Sequence, residues 1–240
     1  MSALRYPLNE SRAWDRLAPR YDCRAGDHVY AAAVEAAVRA LAVRAGECVL
    51  DAGCGTGLPL QHYLCPDLRV VALDLSAAAL GRLRAALGSP AVEYVRGDVT
   101  RLPFAVDTFD RALCANTVQH LPTAALRRRC VAELARVTRP GGRVVVTAHQ
   151  WSLPKRRAGW KKEGRPGGRG QPPFIHRFEG AEFHDLLAAA LAVERVSGAG
   201  FPLPYRYKLA PLSACLEWAL QRSGRAAPWA HMLVGVCHAP

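Results

Sequence analysis

VLDAGCGTG, residues 49–57, joins a short apolar run to three glycines spaced two apart. The run ECVLDAG (47–53) has the length and composition of a buried strand. Glycine at 53, 55 and 57 lets the backbone turn tightly and approach a ligand closely. A turn of this kind can also serve only to pack a helix on a strand, so its surroundings decide its meaning. Four more apolar runs follow: DLRVVALDL (67–75), AVEYVRGD (91–98), FDRALCAN (109–116) and GGRVVVTAH (141–149). Helical stretches lie between them at 57–64, 76–87 and 123–138. Strands alternating with helices predict a mostly parallel sheet covered on both faces. Residues 179–190 predict another helix, and 191–199 and 230–237 two more strands, making seven. Upstream, 10–20 predicts a short helix stopped near Pro19. Residues 27–44 predict a longer one with Asp27 as N-cap and Gly46 as stop.

Three carboxylates then fall on equivalent positions. Asp51 ends the first strand, Asp74 the second and Asp98 the third. In an open parallel sheet, ligands bind at the carboxyl ends of the strands. A carboxylate ending the second strand can take both hydroxyls of an adenosine ribose. Asp98, or an amide beside it, can meet the adenine amino group. Asp51 stands just before the glycines, where a dinucleotide would place its pyrophosphate. A carboxylate there suits a cationic amino-acid tail better. The set therefore points to S-adenosylmethionine (SAM) rather than a nicotinamide dinucleotide.

VLDAGCGTG, LDLS (73–76), GDVTRLPF (97–104), FDRALCANTVQHLP (109–122) and RPGGRVVV (139–146) resemble the ordered motifs of class I SAM-dependent methyltransferases. More narrowly, they resemble the type-11-like family that includes the ubiquinone and menaquinone C-methyltransferases. AWDRLAPRYD (13–22) resembles that family's N-terminal segment. The resemblance covers about residues 13–150 and weakens beyond them to a helix at 177–187 and a last strand near 231–236.

The resemblance implies an α/β, Rossmann-like, doubly wound, mostly parallel seven-stranded sheet with N-terminal helices and a substrate-side insertion after strand five. One domain is expected over 1–240: a helical cap (1–45), a SAM-binding core (46–150), a basic flexible insertion (150–178) and a C-terminal helix with strands (179–240). It implies that Asp51, Gly53 and Gly55 line the methionine end of SAM. Asp74 would hold the ribose, with Leu75 against the adenine, and Asp98 and Val99 would meet the adenine edge. Asn116 would lie beside the sulfonium, and Tyr21 would close the pocket. S-adenosylhomocysteine (SAH) is the expected product, and no metal is expected. Where family members often carry two histidines, this chain has Gln119 and His120.

A sulfonium methyl is already activated, so the protein mainly aligns the partners and excludes water. A base is needed only for a protonated acceptor. His149 at the end of strand five, His120 after strand four, and Tyr21 are the catalytic candidates, with His28 near the N-terminus. His149 is the expected base for an oxygen or phenol-like acceptor. Trp151, Trp160, Phe174, Phe201, Tyr205 and Tyr207 could wall the acceptor side.

Half of the 240 residues are apolar, which excludes a disordered chain. Eight scattered cysteines show no CxxC spacing, as in a reduced protein. The N-terminal stretch has no apolar core of a signal peptide, and a cytoplasmic protein is expected. Net charge is +12, and KRRAGWKKEGRPGGRG (155–170) supplies half of it. Arginine provides 28 of the 32 cations, as a GC-rich coding sequence would give. The basic stretch follows strand five, so a mobile cover over a small-molecule acceptor is expected. The alternatives are an RNA-modifying methyltransferase with 155–170 as its phosphate-binding arm, and a SAM-binding module without transferase activity. A nicotinamide oxidoreductase fits less well. A helix over 211–222 could offer a face to a greasy or membrane-borne substrate.

Overall fold

The structure is a computed structural model that describes residues 6–21, 28–165, 174–201, 215–216, 219–221 and 227–240. Two helices come first, α1 (Tyr6–Tyr21) and α2 (His28–Leu41). Strands and helices then alternate: β1 (Cys48–Ala52), α3 (Leu60–Tyr63), β2 (Arg69–Asp74), α4 (Ala77–Leu87), β3 (Val92–Arg96), β4 (Phe109–Ala115), α5 (Ala124–Val137) and β5 (Thr138–His149). A short helix α6 (Leu153–Arg157) and a small hairpin of β6 (Glu163–Gly164) and β7 (Ile175–His176) follow. The chain ends with α7 (Gly180–Ala188), β8 (Ala192–Ala199), a 3-10 turn at Ala227–Trp229 and β9 (Met232–His238).

Seven strands form one sheet in the order β3-β2-β1-β4-β5-β9-β8. β1 to β5 are parallel, and β9 runs antiparallel between β5 and β8. The order reverses between β1 and β4, which opens a crevice at the carboxyl ends of the strands.

Alternation along each strand divides the core in two. Leu50, Val71, Leu73, Ala112, Cys114, Val144 and Val146 face α5 and α7. Val49, Val70, Ala72, Leu113 and Val145 face α2, α3 and α4. Both faces are therefore buried, which is why these strands read as continuous apolar runs. Gly235 in β9 shows how close the layers lie. A Cβ there would sit 2.3 Å from Leu187 Cδ1 and 3.2 Å from Phe183 Cε1 on α7. Gly235→Val is expected to cost about 2–3 kcal/mol by overpacking, lowering Tm by roughly 5–10 °C in a scanning melt.

Two helix ends differ from expectation. α1 runs through Pro19 to Tyr21. Proline lacks only the donor to the carbonyl four residues back, and the helix has just two more residues to run. α2 stops at Leu41, well before Gly46, because Ala42 turns left-handed at φ 49°. The freed carbonyls at that end are taken by distant guanidinium groups. Arg111 donates to Leu41 O at 2.7 Å and Arg143 to Ala40 O at 3.1 Å. Arg111 in turn pairs with Glu47. The expected cap Asp27, and most of the helix expected over 211–222, lie outside the described residues.

Candidate active site

A cavity of about 340 Å³ opens at the β1/β4 switch point. Its floor is the turn after β1. Gly53 and Gly57 have φ of 78° and 83°, where side chains are disfavoured. A Cβ at Gly53 would meet Thr117 Oγ1 at 2.2 Å, and one at Gly57 would meet Leu83 Cδ1 at 2.1 Å. At Gly55 a Cβ would enter open space. The turn thus packs tightly on one side and leaves its backbone bare on the other.

All three strand-end carboxylates line this cavity, as do Gly53, Gly55, Leu75, Val99 and Asn116. Asp74 is fixed by two backbone amides, from Gly55 to Oδ2 and from Ser76 to Oδ1, both at 2.8 Å. Burial nevertheless holds its carboxyl above the usual range. Asp98 Oδ1 accepts from Thr100 N at 2.8 Å and Thr100 Oγ1 at 2.9 Å. Asn116 is buried with a left-handed backbone, φ 55°, and its amide donates to Thr147 Oγ1 at 3.0 Å. Asparagine tolerates that conformation better than most residues.

Asp51 is fully buried. Its Oδ2 accepts from the Tyr63 hydroxyl at 3.3 Å, while Oδ1 is enclosed without a partner. Burial pushes this carboxyl up from its ordinary 3.8 to about 7; the Tyr63 bond opposes the rise and the Asp74 charge adds to it. A buried carboxylate oxygen with no donor is costly unless a ligand supplies one.

The N-terminal helix closes one side. Trp14 and Ala18 line the cavity, as does Tyr30 of α2. α1 is held by Asp15, whose carboxylate accepts from Ser76 Oγ at 2.7 Å and Ala78 N at 3.1 Å. Ser76 also caps α4, accepting from Ala79 N at 3.1 Å. Ser11 Oγ donates to Leu75 O at 3.2 Å, on the expected adenine side. Tyr21 ends α1, and its side chain lies outside the described residues.

The two expected histidines separate. His120 lines the cavity, with the Trp14 ring edge-on at 4.8 Å between centroids. Its Nδ1 lies 2.8 Å from Phe174 O, which can only accept, so Nδ1 carries the proton. His149 is absent from the lining. The cavity draws on the ends of β1 to β4, and β5 lies one strand further out. The His149 ring packs edge-on to His231 at 5.5 Å, and its Nδ1 is buried without a partner. Burial, then the nearby Lys155 ammonium, hold His149 well below the usual imidazole range. Gln119 connects the two. Its Oε1 accepts the His149 amide at 2.8 Å, which turns its Nε2 toward His120 Nε2 at 3.4 Å.

Trp14, Tyr30, Tyr63, Thr117 and Gln119 were not singled out individually from the sequence as site residues. Trp14 lies inside AWDRLAPRYD, and Thr117 and Gln119 inside FDRALCANTVQHLP, both stretches with a signal as segments. Thr117 Oγ1 donates to Gly53 O at 3.2 Å and locks the glycine turn to the end of β4.

Much of the basic segment packs on the body. Lys155 is buried in α6 and donates to Gln150 O and His231 O, each at 2.8 Å; burial pushes its ammonium down to about 7. Arg156 pairs with Glu179, Lys162 with Glu182 and Arg165 with Glu10. Within 155–165, Lys155, held by those carbonyls, and Arg157 and Lys161 have no carboxylate partner among the described residues. The rest, 166–173, lies outside them, as do Tyr205 and Tyr207. Of the other expected aromatic wall residues, Phe201 is buried and Trp160 is 47% exposed.

A glycine turn and three strand-end carboxylates thus gather around a switch-point cavity on a Rossmann-like, doubly wound sheet. Residues 50–146 match the family described as "Methyltransferase domain". Over 146 residues the chain is 41% identical to a malonyl-[acyl-carrier protein] O-methyltransferase of Erwinia pyrifoliae, covering 60% of this chain and 52% of that protein. It is 34% identical to a demethylmenaquinone methyltransferase of Renibacterium salmoninarum over 147 residues, 58% of each. The matches thus span only a little over half the length of these curated relatives. In structure it is similar to a chain from the complex between the Haloferax volcanii Trm112 methyltransferase activator and its methyltransferase. That match has TM-score 0.70 and 19% identity, covering 95% of this chain and 97% of that one.

Proposed function

We propose that the protein binds SAM in the switch-point cavity and transfers its methyl group to a small-molecule acceptor entering beside Trp14, Tyr30 and His120. The observation that carries this is the unpartnered Asp51 Oδ1 at the cavity floor. It fits the α-ammonium of SAM. Among the lining residues three are carboxylates and only His120 is basic, so a pyrophosphate would meet repulsion without a counter-charge. Asp74 suits ribose hydroxyls, and Asp98 with Val99 suits the adenine edge. When bound, SAM supplies a sulfonium-activated methyl group. The chain's own residues bind, orient and exclude water. His120 carries its lone pair on Nε2, which faces the Gln119 amide nitrogen at 3.4 Å; an acceptor O–H or N–H that displaces that long contact finds His120 better placed than His149 to take its proton. The malonyl and demethylmenaquinone acceptors in the relatives' names are in keeping with acceptors other than nucleic acid.

An RNA acceptor is the second reading. It is favoured by Trp160, half exposed on the same edge with the Arg177 guanidinium 5.0 Å from its ring, and by Arg157 and Lys161, which have no carboxylate partner among the described residues. Labelled SAM incubated with cell extract and the protein separates the two. Label is expected in the small-molecule fraction; label in RNA would replace the first reading with the second.

A further inference from the structure

Tyr63 closes α3 and does not line the cavity. Its ring is buried in the apolar layer with Leu60 and Leu68, a place phenylalanine would fill equally well. A hydroxyl carried into such a layer costs free energy unless it is bonded. Here it donates to Asp51 Oδ2 at 3.3 Å, and the other Asp51 oxygen, Oδ1, is left without a protein partner. The two oxygens of one carboxylate are thus divided between protein and ligand.

We infer that Tyr63 is a positioning residue for the cofactor: its hydroxyl holds Asp51 ionised and turned so that Oδ1 is free to receive the ligand's ammonium group. This rests on the proposed SAM site. The ionisable groups facing Asp51 are Tyr63 from α3, Asp74 from β2 and Cys54 from the glycine turn. Cys54 directs its thiol to Gly55 O at 3.7 Å, and Asp74 is a carboxylate. Tyr63 is therefore the side chain among them that stabilises the Asp51 charge. Burial and the Asp51 charge push the Tyr63 phenol well above its usual range, so it stays a donor at every accessible pH. Without it, Asp51 would ionise at higher pH, and the ammonium-binding form would be scarcer at neutrality.

The test is calorimetric titration of SAH into the wild type and Tyr63→Phe between pH 5.5 and 9. The variant is expected to bind about tenfold more weakly at pH 6 and within about twofold of wild type at pH 9, because its midpoint moves up by about one pH unit. An equal loss at every pH would mean that Tyr63 only packs, and it overturns the inference; so does no loss. A wild type that binds no SAH at any pH overturns the SAM site itself. If Tyr63→Phe fails to melt cooperatively, 3-fluorotyrosine placed at position 63 keeps the shape and strengthens the donor. The midpoint should then move down, and an unchanged or higher midpoint overturns the inference.

Discussion

Asp51→Asn is expected to weaken SAM and SAH binding by about 100-fold at pH 8 while making the free protein more stable. Removing one partner of a buried charge pair costs about 2–5 kcal/mol, and about 3 kcal/mol corresponds to that factor. The stability change runs the other way because burial of the charge outweighs its one bond, from Tyr63, and Oδ1 has no partner in the free protein. The Asp51 carboxyl is raised to about 7 in the fold against an ordinary 3.8. A group raised in this way contributes stability that is fully present below about pH 4 and is lost as pH rises through about 7. Asparagine stays neutral throughout. The variant should melt with the wild type at low pH and above it at pH 8, by up to about 4 kcal/mol. Melting curves at the two pH values, with a titration of SAH, check both signs. A loss of affinity with a loss of stability would mark Asp51 as structural.

Asp74→Ala should lower both affinity and stability. The carboxylate accepts the Gly55 and Ser76 amides, so its loss loosens the glycine turn and the start of α4 together. Two charge-assisted bonds of this kind contribute about 1.5–3 kcal/mol each, part of which the relief of a buried charge offsets. Affinity for SAH is expected to fall about 30-fold, or about 2 kcal/mol. Comparison with 2′-deoxy-SAH isolates the ribose contact. The wild type should discriminate between the two ligands, and Asp74→Ala should bind them nearly alike. Persistent discrimination in the variant would place the ribose elsewhere.

The strands were legible because both sheet faces are buried. Runs such as VLDA and RVVALD need no alternation to be recognised, and the glycine turn marks the carboxyl edge. Helix ends were less legible because they depend on distant partners. Nothing local to Leu41 signals that Arg111, 70 residues on, will take its carbonyl. That the three carboxylates gather at one cavity was legible because strand ends share one edge. Their supporting residues were not. Tyr63 looks like any core aromatic until its hydroxyl is found beside Asp51, and Thr117 looks like a loop residue until it meets Gly53. His149 shows the limit of arguing from strand ends alone. It stands at the correct edge, yet one strand beyond the cavity, and its ring turns to His231 and Lys155. The basic segment was legible as charge but not as structure. Arg156, Lys162 and Arg165 pair with Glu179, Glu182 and Glu10, partners that lie well away from them in the chain.

The most direct test of the SAM site is titration calorimetry of the purified protein with SAM, SAH and NAD at pH 8. SAM and SAH should each bind at one site per chain, and NAD should give no heat of binding. Binding of NAD without SAM, or silence toward both SAM and SAH, would contradict the assignment of the cavity.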